Sequence, residues 1–554
     1  MPIKQIGNKL EAILTKFKRT VRTLDFWTLA SYFVLFLIIT PIIYILFNLF
    51  NETSEQTKTL LNSSLKEYFV NSLIIIFSTA IFTTIIGVFL AYFEAFYEFK
   101  FRKFFNFALV LPFAVPNYLF AYLYADFFSY SGWLVVWLRQ NFGIKLHFDM
   151  MNIYGAIFIF TISFYPYVYI ILRGFLAKFS MNLIESAKSL GKSNTCIFFR
   201  VILPLSKAAI VAGAGLCVME SLNAFGTPNY YGVHVFSTGI YKAWVGYGDI
   251  NAAIKLAGIL LFIVFFLMFV ERIFRKPYAV TTSKQKVFKR QKLSKKAQNI
   301  VVGLFFIIFF ISFLFPMINL SIWLKRSFSD VDWAHIINIS ANTLLLTVFS
   351  TIFIIIISLF LTTISRSQKG KTKELSNALA NMGYSIPGSI IAIGMLVIFI
   401  WLDKNLSGIY HFFGINKSLF LTLSPIILIF AYVIRFLSLG YNGIEAGLNR
   451  CGKSCYEASL SLGYGRLVTF FKVDFSMIKT SIYSAFILIF IEIIKELPLS
   501  SLLSAPNFRT LAFEIDRYAS DEQLAMTAVP SLIIIIFCFV LLSVFYKLQK
   551  KDKF

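Results

Sequence analysis

Charged side chains stand where an apolar chain tolerates them least: Glu220 in VMESLNAFGTPNYYG, and Glu492, Lys495 and Glu496 in FIEIIKELPLSSLL. Ionisable groups inside a hydrocarbon-spanning segment are costly, and they usually face a pathway or a partner. Carboxylates placed this way can attract a cation or a polar solute. The alternative is a structural ion pair, because Glu492, Lys495 and Glu496 have the spacing of one helix face. Bond-making chemistry is not expected. The sequence has no nucleophile-and-base constellation, no HExxH, no Cys/His cluster with metal-ligand spacing and no GxxxxGK[ST] phosphate loop. The chain is therefore expected to be no enzyme, to bind no cofactor and not to hydrolyse ATP itself. Cys451 and Cys455 form a CxxxC, which is weak evidence for metal or redox chemistry.

A second set of residues points to protein–protein contact. The polar, basic segment Glu185–Pro204 (ESAKSLGKSNTCIFFRVILP) lies between apolar runs and recurs as Glu457–Ser476 (EASLSLGYGRLVTFFKVDFS). Ala187 and Ser459 are small and allow close helix approach. Gly191 and Gly463 permit a turn with positive φ. Phe199 and Phe471, beside Phe198 and Phe470, offer apolar anchors. Glu185 and Glu457 can accept charge-assisted hydrogen bonds from a basic partner. Pro204 has no counterpart, since Ser476 stands in its place. The plainer alternative is an ordinary amphipathic loop, which would not need to be duplicated in register.

The elements that position these residues follow from composition. The chain has 554 residues, is 58% apolar and carries a net charge of +25. Only 14% of it is charged, against about 25% in soluble domains. A bilayer-spanning helix needs about 20 apolar residues, and the sequence holds twelve such runs: 27–50, 69–93, 104–128, 150–172, 204–226, 252–274, 300–322, 340–364, 376–401, 419–440, 476–497 and 524–546. They are too long for barrel strands, so an all-α membrane protein is expected. Lys and Arg concentrate in alternate connectors, above all in Arg272–Lys296. By the positive-inside rule both termini face the cytoplasm, and the charge excess needs no nucleic acid. Met1–Asp25 lacks the pattern of a cleavable signal peptide.

The chain is also an internal duplication. Asn71-Ser72 matches Asn342-Thr343, Val115-Pro116 matches Ile386-Pro387, Glu220 matches Glu492, and FSTGIYKAW from Phe236 matches FRTLAFEID from Phe508. We expect a cytoplasmic segment (1–26), a first six-helix repeat (27–274), a basic linker (275–299), a second repeat (300–546) and a short tail (547–554). Repeats of the same orientation are related by an axis along the membrane normal, with a pathway between them. Pro116 and Pro387 are expected inside the third and ninth spans, as hinges or fixed bends.

The segment Glu-Ser-Ala-x-x-x-Gly, nine residues, Val-x-Leu-Pro resembles the EAA motif of ABC importer permeases, and its second copy repeats it up to Asp474-Phe475-Ser476. Glu220 with Phe225-Gly226, the run Lys495-Glu496-Leu497-Pro498, LPFAVPNYLFA from Leu111 and YPYVY from Tyr165 resemble the iron(III) branch of that family. The resemblance implies a fused two-half permease of a bacterial inner membrane, with the fold of a type I importer. Two copies of an ABC ATPase would dock on the loops at Glu185–Pro204 and Glu457–Ser476 and bind the ATP. A periplasmic or lipid-anchored solute-binding protein would deliver the solute, ferric iron in the first instance. Thiamine, phosphonate and polyamine importers are also built as fused permeases. A gradient-driven secondary transporter would share the twelve spans and basic central loop but would not need paired EAA loops.

Overall fold

Long apolar segments in lipid satisfy their backbone internally, as helices. The computed structural model describes residues 26–50, 55–144, 148–177, 179, 181–274, 290–368, 370–414, 419–451 and 454–551. Within them lie 10 helices long and apolar enough to cross a membrane, or 12 if two bent pairs each count as one span. The bent pairs are Arg102–Ala114 with Asn117–Phe142, at 91°, and Asn194–Leu205 with Lys207–Asn223, at 68°.

The first bend corrects an expectation. Pro116 does not lie inside a helix; it is the N-cap of Asn117–Phe128. Pro387 likewise caps Gly388–Phe412. Proline restricts the preceding residue to extended backbone and cannot donate to the turn before it. Val115 (φ −99°, ψ 127°) and Ile386 (φ −94°, ψ 125°) accordingly break the chain at matching places. The ninth run is thereby divided. Its first residues join the separate helix Lys371–Ser385, and the span begins at Gly388.

The duplication is visible in the backbone. Glu55–Phe96, Ile153–Leu176, Lys207–Asn223 and Ile250–Phe274 recur as Trp333–Ser367, Ile426–Cys451, Phe475–Ile494 and Ala528–Lys551. Small residues bring the helices close. A Cβ on Gly87 would lie 2.6 Å from that of Val168, and one on Gly213 would lie 2.7 Å from the Val168 Cα. Such close approaches are how apolar helices gain packing when lipid is as apolar as they are.

Each repeat is embraced by the first helix of the other. Phe26–Asn48 packs along Gly388–Phe412, Lys371–Ser385 and Trp333–Ser367, as well as Ile250–Phe274. Its Tyr32 hydroxyl donates to the Thr372 carbonyl at 3.3 Å. In return, Lys295–Ser327 packs on the first repeat. Phe305 meets Phe89, Phe99 and Phe105. Trp323 Nε1 donates to Asp126 Oδ2 and Trp133 Nε1 donates to Asn319 Oδ1, each at 2.8 Å. A two-residue parallel pairing of Tyr97–Glu98 with Gln291–Lys292 ties the linker to the first repeat.

Candidate functional site

Glu220, Glu492, Lys495 and Glu496 meet where the repeats meet. A small cavity of about 60 Å³ is lined by Glu220, Asn223 and Tyr167 from the first repeat and by Arg435, Glu492, Lys495 and Glu496 from the second. Its lining mixes apolar walls with a few convergent polar groups, as solute sites do.

Repeat symmetry shapes the polar contacts. Lys207–Asn223 brings Glu220 to the interface, where the Tyr384 hydroxyl donates to Glu220 Oε1 at 2.7 Å. On the symmetry-related side, Lys495 Nζ lies 3.1 Å from Glu492 Oε1 and donates to the Phe113 carbonyl at 3.3 Å. The ammonium also sits 4.0 Å from the centroid of the Phe113 ring, a favourable cation–π position. One turn past Glu220, Asn223 Oδ1 accepts the Gly388 backbone N–H at 2.7 Å. Gly388 lets these groups approach closely: a Cβ there would lie 3.0 Å from Glu496 Oε1 and 3.2 Å from Asn223 Oδ1 and would push them aside.

Glu496 departs from the expected shared helix face. Phe475–Ile494 ends before it, and only the Glu492–Lys495 pair keeps the helical spacing. Glu496 Oε2 instead caps the next helix, accepting the Leu499 N–H at 2.9 Å. Its Oε1 faces Arg435 Nε at 3.8 Å; both atoms are buried, and neither has a hydrogen-bond partner. The guanidinium is anchored separately, donating Nη1 to the Ile386 carbonyl at 3.1 Å. Three carboxylates and two cations therefore share one largely buried space. Among the described residues, no group of three or more His, Cys, Asp and Glu is arranged to hold a metal ion.

Arg435, Tyr384 and Asn223 were not singled out in the sequence. A lone arginine within IILIFAYVIRFLSLG is a readable signal for Arg435. Tyr384 and Asn223 give none, because their importance comes from contacts across the repeats.

The duplicated segments form the same device twice. Met181–Ser189 ends in a left-handed glycine, Gly191, at φ +72°, and Ser454–Ser461 ends in Gly463 at φ +83°. The Lys192 N–H returns to the Ala187 carbonyl (3.1 Å) and the Gly191 N–H to Lys188 (2.8 Å), a Schellman closure. Tyr464 returns to Ser459 in the same way, at 3.3 Å. Ser459 is buried and its hydroxyl lies 2.9 Å from that of Thr469, so this small residue locks the two arms together. Glu185 and Glu457 lie on exposed surface. A π-helical turn follows in both copies, Phe198–Ile202 and Phe470–Asp474. It turns Phe199 and Phe471 outward while Phe470 stays buried.

The copies then diverge at the Pro204/Ser476 position. After Pro204 the chain breaks at Ser206 before the next span starts, whereas Phe475–Ile494 runs on without a bend. The polar residues beneath the segments also differ. Glu94 accepts from Asn106 and Tyr169 and lies 3.8 Å from Arg173. At the corresponding places of the second repeat stand Ser365, Asn377, Tyr441 and Glu445, so a hydroxyl replaces the buried acid and a carboxylate replaces Arg173. Arg366, the next residue, pairs with buried Asp474 at 2.6 Å.

Comparison with known proteins agrees with this duplicated layout. The family model described as "Binding-protein-dependent transport system inner membrane component" matches twice, at residues 83–279 and 354–552. The Fe(3+)-transport system permease protein FbpB 2 of Haemophilus influenzae is 23% identical over 490 residues, covering 87% of this chain and 90% of that protein. The ferric transport system permease protein FbpB of Actinobacillus pleuropneumoniae is 22% identical over 459 residues, 78% of this chain and 64% of that protein. The sulfate transport system permease protein CysT of Escherichia coli is 30% identical over 150 residues, 27% of this chain and 53% of that protein. With both repeats matched, the chain belongs to the family of inner-membrane components of binding-protein-dependent transport systems.

Proposed function

We propose that the chain forms the translocation path of an ATP-driven importer for ferric iron. The observation that carries this reading is the cavity between the repeats, where Glu220, Glu492 and Glu496 gather around Lys495 and Arg435. Hard carboxylate oxygens suit a highly charged cation, and the iron-transport names of two relatives that span most of this chain support the same cargo. Thiamine, phosphonate or polyamine import would use the same architecture. A gradient-driven transporter is set aside by membership of a binding-protein-dependent family.

In this reading both termini are cytoplasmic. Two ABC ATPase subunits bind the ATP and grip the turns around Glu185, Ala187 and Gly191 and around Glu457, Ser459 and Gly463. Lys207–Asn223 then connects a gripped turn to Glu220 over about 20 Å of helix. Movement of the turns is passed directly to the Glu220–Tyr384 contact and separates the repeats. A solute-binding protein delivers cargo at the opposite end, and hydrolysis resets the chain. Uptake of radiolabelled ferric iron in a deletion strain tests the proposal. Restoration by the intact chain supports it. Unchanged iron uptake together with lost thiamine uptake would overturn the choice of cargo.

A further inference from the structure

Each repeat carries an apolar groove on its outer surface, beside the duplicated segment. In the first repeat Phe89, Phe93, Phe198, Phe199 and Leu203 line it. In the second, the corresponding Phe360, Ile364, Phe470, Phe471 and Phe475 do so. The same groove thus recurs in both halves, with phenylalanine shared at three of the five positions.

Two features identify the occupant. The first is continuity with the lipid-facing surface. Phe77, Ile81 and Ile85 form an exposed stripe along the span Ser63–Phe96, and the stripe runs into the first groove. Phe349, Phe353 and Ile356 do the same along Trp333–Arg366 for the second. On a membrane-spanning helix such a stripe meets acyl chains. The second feature is charge. Arg200 and Lys472 occupy matching positions next to Phe199 and Phe471, and both are exposed. Lys188 and Lys192 add positive charge to the first segment. Basic residues at the membrane surface attract anionic headgroups.

We propose that each groove seats an acyl chain of an anionic phospholipid, with the headgroup held by Arg200 in one repeat and Lys472 in the other. Phe199 and Phe471 then contact lipid, and the protein partner is met by the turns at Gly191 and Gly463. A lipid held there fixes the amphipathic helix at the membrane surface, so that a push on the turn is delivered to the next span.

The test uses the full chain, with its ATPase, in nanodiscs of phosphatidylglycerol and phosphatidylcholine. Phe199→Trp and Phe471→Trp report on the grooves. Replacing the lipid by its acyl-brominated form should cost each variant more fluorescence than the parent loses, while aqueous iodide leaves the added signal intact. Iodide quenching without bromolipid quenching would overturn the proposal and return these residues to a protein-facing or aqueous surface. Quenching of the second groove seen only after deletion of residues 1–25 would also overturn it there, in favour of the chain's own N-terminus. Native mass spectrometry gives a measurement on the unsubstituted chain. It should retain phosphatidylglycerol through delipidation and lose it in Arg200→Gln/Lys472→Gln; equal retention would refute the headgroup contact. ATP-driven uptake in the same discs reports separately on transport.

Discussion

Tyr384 and Glu220 belong to different repeats, yet the Tyr384 hydroxyl donates to a Glu220 carboxylate oxygen over 2.7 Å. The bond crosses the surface along which the repeats must part. A hydrogen bond to a charged group contributes about 1.5–3 kcal/mol. Tyr384→Phe should therefore weaken the closed interface, raising basal ATP hydrolysis by the assembled transporter about tenfold or more without cargo. Unchanged basal hydrolysis would show that this bond does not hold the repeats together.

The turns at Gly191 and Gly463 make a sharper demand. Nothing lies within 4 Å of a Cβ built at either position, so only the positive φ is at stake. A β-carbon in that conformation costs roughly 1–2 kcal/mol, and asparagine tolerates it better than other residues. Gly191→Val with Gly463→Val should abolish ATP-driven uptake and co-purification of the ATPase. Gly191→Asn with Gly463→Asn should keep a substantial part of both. Equal loss in both pairs would point to a need for space rather than for backbone freedom.

Arg366 and Asp474 form a buried pair at 2.6 Å beneath the second segment. Removing one partner of such a pair typically costs 3–5 kcal/mol, roughly, while replacing both by apolar groups is often neutral. Arg366→Met alone should lower the thermal midpoint in detergent markedly, and Arg366→Met/Asp474→Leu should recover most of it. A double variant no better than the single would mean that Arg366 acts through other contacts.

At the opposite end of the bundle, Glu514 on Leu511–Ser520 accepts from Arg517 and lies 3.1 Å from His335 Nε2. Burial pushes its carboxyl up, but the hydrogen bonds from Arg517 and His335 outweigh burial and hold it below the ordinary value. A depressed acid stabilises the fold above its unfolded pKa of about 4.3, and that contribution fades as pH falls through the folded value. The thermal midpoint should therefore drop on acidification below about pH 4.3, and Glu514→Gln should flatten that drop. An identical acid limb in the variant would assign the effect to other carboxylates.

Much of the architecture was legible because it rests on run length and repetition. A stretch such as Ile250–Phe274 has few other ways to satisfy its backbone in lipid. Matching residues such as Glu220 and Glu492 announce the duplication. What periodicity does not encode is the neighbour. Nothing in Phe26–Asn48 says that it lies against Gly388–Phe412 rather than only within its own repeat. Pro116 and Pro387 were visible, but whether a proline kinks a span or starts one depends on where the preceding helix can end. Arg435 was visible too; its nearness to Glu496 follows from a turn after Ile494 that depends on the packing of the second repeat.

The exchange of first helices has a consequence for biogenesis. When the first repeat leaves the ribosome, Asp126 still lacks the indole of Trp323, and Phe26–Asn48 has no Gly388–Phe412 to rest on. Neither repeat can mature alone, so the nascent protein must hold an incomplete bundle until its carboxyl half is inserted. Joining both halves in one polypeptide guarantees that each unfinished surface meets its complement at equal dose, and a chain that stops before Gly388–Phe412 leaves Phe26–Asn48 without its main support from the second repeat.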